Sequence, residues 1–332
     1  MSLSLSFIIP VYNRPDEVRE LLESFRQQTY TGDYEIVLIE DGSSIDSREV
    51  VSQFSDLPVV YFYKENSGPG PSRNYGMAKA MGNYFIILDS DCLLPPQYLE
   101  IVIKSLETSY IDFFGGPDAA HKDFSLLQKA INYSMTSVLT TGGIRGNKAS
   151  GSSFQPRSFN MGISKAAFEA SGGFGKIHPG EDPDLTIRLW NLGFKSTLIP
   201  EAFVYHKRRI SWKKFYQQVR KFGLVRPILN SWHPKTAKVT YWFPALFLCF
   251  AIFSLFTAVF GFFLPIFLVL IYLLLIFFHS SFKNKSLIIG VYSVFATLVQ
   301  FIGYGLGFLE STFAVNWLKK LPQKRFPHLF FD

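Results

Sequence analysis

Tyr84-Phe85-Ile86-Ile87-Leu88-Asp89-Ser90-Asp91 is an unbroken apolar run closed by two carboxylates one residue apart. Five consecutive apolar residues with aromatic and β-branched members read as a strand buried on both faces. In an open α/β sheet, ligands bind beyond the carboxyl ends of the strands. The acids Asp89 and Asp91 therefore stand where a ligand is expected. Paired carboxylates there can hold a hard divalent cation, and that cation can hold a diphosphate. Acids at strand ends also cap helices, so the pair has a plain structural reading beside the chemical one.

Outward from this strand, apolar runs of strand length alternate with helix-period segments, which predicts an α/β fold with a mainly parallel sheet. Upstream, Leu5–Ile9, Glu35–Ile39 and Val59–Tyr63 read as strands. Pro15 opens a helix behind Asn13, with Val18, Leu21, Leu22 and Phe25 on one face. A helix is expected over Ser72–Met81, and another starts at Pro95-Pro96. Downstream come a short strand at Ile111–Phe114, a helix around Phe124–Leu139, a strand at Asn160–Ser164 and a helix at Glu181–Leu192. The Gly, Ser and Thr-rich stretch Thr140–Phe154 is long for an unstructured connection and reads as a functional loop. Its Arg145 and Lys148 are candidates for acceptor binding.

Charge divides the chain. Residues 1–200 are net −6 and residues 201–332 net +13, giving the overall +7. The basic balance does not indicate nucleic acid as a partner, because it lies beside an apolar tract. Ten Lys/Arg and no acid fall between Lys207 and Lys238, interleaved with Trp212, Phe215, Tyr216 and Phe222. Such a basic, aromatic stretch suits anionic lipid headgroups. From Tyr241 to Phe278 there is no Asp, Glu, Lys or Arg. As one helix these residues would reach about 57 Å, nearly twice the roughly 30 Å hydrocarbon core. Gly261 and Pro265 divide them into spans at about 242–260 and 264–280, and a third uncharged run, 287–309, contains Gly303, Gly305 and Gly307. The expected organisation is a catalytic domain at 1–205, a basic interfacial segment at 206–240, transmembrane helices over 241–310 and a basic tail at 311–332. The positive-inside rule places the catalytic domain in the cytoplasm, against the inner membrane. Lys319, Lys320, Lys324 and Arg325 conflict with three crossings, so either the last run is re-entrant or the tail breaks the rule.

Cys92 and Cys249 have no metal-binding spacing, and the second lies in the apolar tract, so no bridge is expected. The start, Met1 to Ser6, lacks a basic region and reads directly into a strand rather than as a secretory signal. Gly68-Pro69-Gly70-Pro71-Ser72-Arg73 imitates a dinucleotide fingerprint, but Arg73 replaces the third glycine and prolines stiffen the turn. Arg73 instead reads as a donor of charge-assisted bonds to a nucleotide diphosphate. His206, closing the last predicted strand, is a candidate metal ligand; His178, four residues before Asp182, is another.

Four segments in series carry a resemblance: Phe7-Ile8-Ile9-Pro10-Val11-Tyr12-Asn13-Arg14; Glu40-Asp41-Gly42-Ser43; Ser72-Arg73-Asn74-Tyr75-Gly76 leading to Asp89-Ser90-Asp91; and Gly180-Glu181-Asp182. Their order and spacing resemble the family 2 glycosyltransferases, inverting sugar-nucleotide enzymes of GT-A fold, over about residues 4–205. The basic segment and apolar tail resemble the membrane-anchored bacterial members that build cell-surface polysaccharides. The resemblance implies that Pro10, Tyr12 and Asp41 line the nucleoside pocket and that Asp89 contacts the ribose. It also implies that Asp91 holds Mg²⁺ or Mn²⁺ and that, of the pair Glu181 and Asp182, Asp182 is the catalytic base. Asp41 before glycine is also a common turn residue, and Asp182 before Pro183 is also a common helix N-cap.

The expected function is transfer of a sugar from a nucleoside-diphosphate sugar to a lipid-linked or oligosaccharide acceptor at the membrane. A processive polysaccharide synthase is the alternative enzyme. Processive members carry Q-x-x-R-W; here Gln217-Gln218-Val219-Arg220-Lys221 keeps the glutamine and arginine and replaces the tryptophan, which favours one sugar per acceptor. A catalytically silent membrane scaffold is the alternative outside enzymes.

Overall fold

A computed structural model describes residues 3–119, 124–141, 154–206 and 211–331. The chain forms two compact units, residues 1–121, 148–207 and 330–332 in one and residues 122–147 and 208–329 in the other.

The first unit opens with β1 (Leu5–Val11), α1 (Pro15–Arg26), β2 (Tyr34–Asp41), α2 (Arg48–Ser52), β3 (Val59–Lys64), α3 (Pro69–Lys79) and β4 (Tyr84–Leu88). It continues with β5 (Cys92–Leu93), α4 (Tyr98–Thr108), β6 (Phe113–Gly115) and β7 (Asp118–Ala119). After α5 (Leu126–Thr136) and α6 (Val138–Thr141), which belong to the second unit, come β8 (Asn160–Ser164), α7 (Lys165–Ser171), α8 (Glu181–Asn191), β9 (Ser196–Leu198) and β10 (Val204–His206). The main sheet has the order β3-β2-β1-β4-β8-β6-β9, and β8 alone runs against its neighbours. A small sheet, β5-β10-β7, pairs Cys92 with His206.

Strand alternation assigns the two faces. Phe7, Ile9, Ile36, Leu38, Ile86 and Leu88 meet Val18, Leu21 and Leu22 of α1 and Leu99 and Val102 of α4. Ile8, Val37, Ile39, Phe85 and Ile87 meet Met77 of α3, Ala167 of α7 and Leu185 and Leu189 of α8. Burial on both faces is why these strands read as continuous apolar runs.

Some boundaries differ from the expectation. α3 begins at Pro69, because proline in a first turn lacks only an N–H that has no helical partner there. The helix expected around Phe124–Leu139 is split at Ser137, whose backbone is extended, and α5 opens with a Ser125–Gln128 capping box. These helices also lie outside the unit that the sequence division assigned them to, because α5 buries Ala130, Ile131 and Met135 against α9 (Trp212–Trp232) and Ala296. The loop residues 142–153, with Arg145 and Lys148, fall outside the described residues, as does the His206 side chain.

In the second unit α9 is followed by α10 (Phe243–Val259), α11 (Leu264–Asn284), α12 (Leu287–Ser311) and α13 (Pro322–Arg325). Three helical stretches, Val239–Val259, Leu264–Asn284 and Leu287–Trp317, are long and apolar enough to cross a membrane. Gly261, at φ +80°, makes the turn between the first two. The other glycines do not break α12. They let neighbours approach: a Cβ on Gly303 would lie 2.7 Å from Val219, and one on Gly305 3.1 Å from the Pro244 carbonyl. α9 buries Phe215, Val219, Leu224 and Ile228 and exposes Lys213 and Lys214.

Candidate active site

The loops at the carboxyl ends of β1, β2, β3 and β4 are tied to one another by buried polar side chains. Asn13, at φ +55°, accepts from the Ser44 and Ile45 amides through Oδ1, at 2.9 and 3.0 Å. Its own N–H donates to Ser43 Oγ at 2.7 Å. Glu40, fully buried, accepts from the Ser47 amide at 2.9 Å and from Ser43 Oγ. The β1 and β2 loops are thereby fixed to each other. Pro10 is half-buried at the end of β1, and Tyr12 is exposed just beyond it.

Asp41 is buried at the end of β2. Its Oδ1 accepts from the Ser67 amide at 2.9 Å and from Lys64 Nζ, and its Oδ2 from the Gly68 amide at 2.9 Å. The carboxylate therefore shapes the turn into α3, and Oδ2 keeps one acceptor direction for a further donor. The same bonds explain why the glycine-proline segment only imitates a phosphate cradle: Asp41 already takes the Ser67 and Gly68 amides. Gly70 serves packing, since a Cβ there would lie 2.7 Å from the Gly175 carbonyl.

Arg73 is the residue that joins the motifs. It is buried on α3 and donates through Nη2 to Asp89 at 2.7 Å and through Nη1 to Glu181 at 3.1 Å. Its guanidinium also lies 5.3 Å from the centre of the Phe174 ring. The tip of β4 and the start of α8, about 90 residues apart in sequence, thus meet on one cation. Burial opposes the charge on Arg73, but Asp89 and Glu181 outweigh it and raise its pKa. Phe174 is held in turn by Asn74, whose amide accepts from its N–H at 2.8 Å and donates to its carbonyl at 2.9 Å.

Glu181 and Asp182 have different environments. Glu181 Oε1 also meets His178 Nδ1 at 2.9 Å. Burial works to raise the Glu181 pKa, but His178 and Arg73 prevail and hold it down at about 2. Glu181 is therefore ionised at neutral pH and a poor proton acceptor. Asp182 is 3.6 Å from Arg157 and its side chain is 15% exposed, so solvent reaches it. The helix-cap reading of Asp182 does not hold. Gly180, at φ +117°, is the N-cap, and Asp182 sits in the first turn, where the helix dipole favours an anion.

Asp91 is half-buried beside β5. The antiparallel pairing of Cys92 with His206 puts the backbone of the candidate ligand His206 one residue from Asp91. Among the described residues no group of three or more His, Cys, Asp or Glu could hold a metal ion on its own. A single half-buried carboxylate suits a cation that keeps waters and binds substrate phosphates, the habit of Mg²⁺. Cys92 and Cys249 are unbridged, as expected. Sequence reasoning gave no role to Asn13 and Glu40, although both stand inside quoted motifs, and missed Arg157, which no motif marks.

Residues 6–170 match the model of glycosyl transferase family 2. An uncharacterized glycosyltransferase of Rickettsia felis is 41% identical over 110 residues, which cover 33% of this chain and 18% of that protein. Glycosyltransferase AglE of Haloferax volcanii is 31% identical over 116 residues, 34% of this chain and 38% of that protein. The matched stretch thus spans well under half the length of either relative. Among solved structures, the mannosyltransferase PcManGT from Pyrobaculum calidifontis, in complex with GDP-Man and Mn²⁺, superposes over 93% of this chain and 88% of that one, with a TM-score of 0.62 at 16% identity. That likeness shows the fold, which is GT-A.

Proposed function

Because residues 6–170 match the model of glycosyl transferase family 2, we propose that this chain is a membrane-attached inverting glycosyltransferase that moves one sugar from a nucleoside-diphosphate sugar to a lipid-linked or oligosaccharide acceptor. The observation that carries the reading is the Arg73 bridge, which brings Asp89 beside Glu181 and so joins the acidic tip of β4 to the acid pair of α8. The donor nucleoside lies over the β1 and β2 loops, between Pro10, Tyr12 and Asp41. Asp91, with His206 as the candidate second ligand, would hold Mg²⁺ or Mn²⁺, which would neutralise charge on the departing diphosphate.

Asp182 supplies the base. The acceptor oxygen bonds to the anomeric carbon, the bond from that carbon to the diphosphate breaks, and the acceptor proton passes to Asp182. Glu181 is too acidic for this step and instead keeps Arg73 and His178 in place. The decisive assay incubates the detergent-purified chain with Mn²⁺, radiolabelled sugar nucleotides and extracted membrane lipid. Metal-dependent transfer to lipid that Asp91→Ala and Asp182→Asn abolish supports the assignment; undiminished transfer by both variants rejects it. A ladder of long products would identify the processive synthase, and the absence of metal-dependent nucleotide binding would identify the silent scaffold.

For the membrane, the reading is attachment to the cytoplasmic face of the inner membrane with an even number of crossings. Glu310, at the end of α12, pairs with Arg220 of α9 at 2.7 Å and with Arg325 of the tail at 3.2 Å. A tail tied through Glu310 to α9, the basic helix, lies on the side of that helix, so α10 and α11 cross and α12 does not. Lys324→Cys should label with an impermeant maleimide from the same side as Lys214→Cys, and labelling from opposite sides would restore three crossings.

A further inference from the structure

We propose that Phe331 is a positioning residue of the transferase site, its ring fixing both the turn that Asp41 shapes and the imidazole that holds Glu181. The inference rests on the transferase reading above and adds to it a residue that lies about 150 positions beyond the last site motif.

Phe331 is placed by main-chain bonds rather than by chance contact. Phe330 forms an antiparallel bridge with Ile177, and the Phe331 N–H donates to the Lys176 carbonyl at 3.0 Å. Both residues belong to the first unit. The ring then meets two parts of the site. One is Gly68, the residue before α3, where an added Cβ would collide with the ring. Gly68 stands at φ +87°, a conformation that glycine adopts without strain. Its amide is one of the two main-chain donors to Asp41. The other is His178, whose ring centre is 6.1 Å from that of Phe331 at 55°.

His178 needs such a neighbour. Its side chain is 38% exposed, yet its Nδ1 must stay 2.9 Å from a fully enclosed Glu181 oxygen. An aromatic face removes rotamers that would carry the imidazole into solvent. The resulting series runs from Phe331 to His178, from His178 to Glu181, and from Glu181 through Arg73 to Asp89. The ring thus touches the donor-side turn and the acid-side helix start at once. Without it both are expected to loosen together, costing about tenfold in the effective placement of the reacting groups.

The test uses the full chain in detergent, comparing parent, Phe331→Ala, Phe331→Tyr and, from the opposite side of the contact, Gly68→Ala. Amide hydrogen exchange reports the turn at residues 66–72 and the helix start at 176–182 without any substrate. Titration with UDP and with GDP, each with Mn²⁺, reports donor-side binding. Phe331→Ala and Gly68→Ala should speed exchange in both segments and weaken binding of whichever diphosphate the parent takes, by about tenfold; Phe331→Tyr should restore both. Parental exchange at both segments in Phe331→Ala overturns the inference and leaves the transferase reading standing. A parent that binds neither diphosphate overturns the transferase reading and the inference with it.

Discussion

One arginine serving two carboxylates lies in the first unit, and one carboxylate serving two arginines lies in the second. Arg73 is 3% exposed between Asp89 and Glu181; Glu310 is 32% exposed between Arg220 and Arg325, themselves 40% and 44% exposed. In the first cluster Arg73 and Glu181 are enclosed, at 3% and 4%, while Asp89 opens to water at 32%, so it is the Arg73–Glu181 pair whose charges depend on each other and whose geometry has little freedom. The second is open at the surface and screened by salt, so its ion pairs contribute little to stability. The first unit thus encloses an ion pair at its candidate site, and the second keeps its ion cluster at the surface.

The contrast can be broken or sharpened by substitution. The largest effect is expected on chemistry: Asp182→Asn should slow transfer by roughly 10² to 10⁴ while leaving nucleotide binding and the unfolding midpoint at parental values, as radiolabel transfer and calorimetry would show. Next, Arg73→Met strands the enclosed Glu181 beside a buried apolar side chain and should destabilise the first unit by about 3–5 kcal/mol. A thermal unfolding midpoint within a degree of the parent would show that the Arg73–Glu181 pair is not enclosed.

The third prediction concerns pH. The Glu181 carboxyl is held below its ordinary range, so its contribution to stability is complete above about pH 4.5 and withdraws as pH falls toward 2. Glu181→Gln should remove that part of the acid sensitivity, seen as a shallower loss of unfolding midpoint between pH 5 and 3. The smallest effect is expected in the second unit. Glu310→Gln should change stability by about 1 kcal/mol or less, and raising the salt should shrink the difference further.

Much of the first unit could be read in advance because its strands are buried on both faces. Tyr84–Leu88 and Asn160–Ser164 are uninterrupted by charge, and their limits were legible to the residue. Helix starts were less so: α3 and α5 begin after Gly68 and Ser125 by local rules of backbone and capping that compete with neighbouring signals, whereas α8 begins at Glu181 as expected. The apolar periodicity of α5 was visible, but not its partner, since a helix face states that it will be covered without stating by what. The three glycines of α12 could have broken the span by sequence alone; in the fold they are contact points.

The order of the acids, the apolar strand that carries two of them and the lipid-length tract were set by the chain alone, because periodicity and charge are properties of neighbours in sequence. That Glu181 is the enclosed, doubly partnered anion and Asp182 the one solvent reaches was decided only by folding. Arg73 and His178 reach Glu181 from other turns of the chain, and a carboxylate's basicity depends on which charges surround it in space.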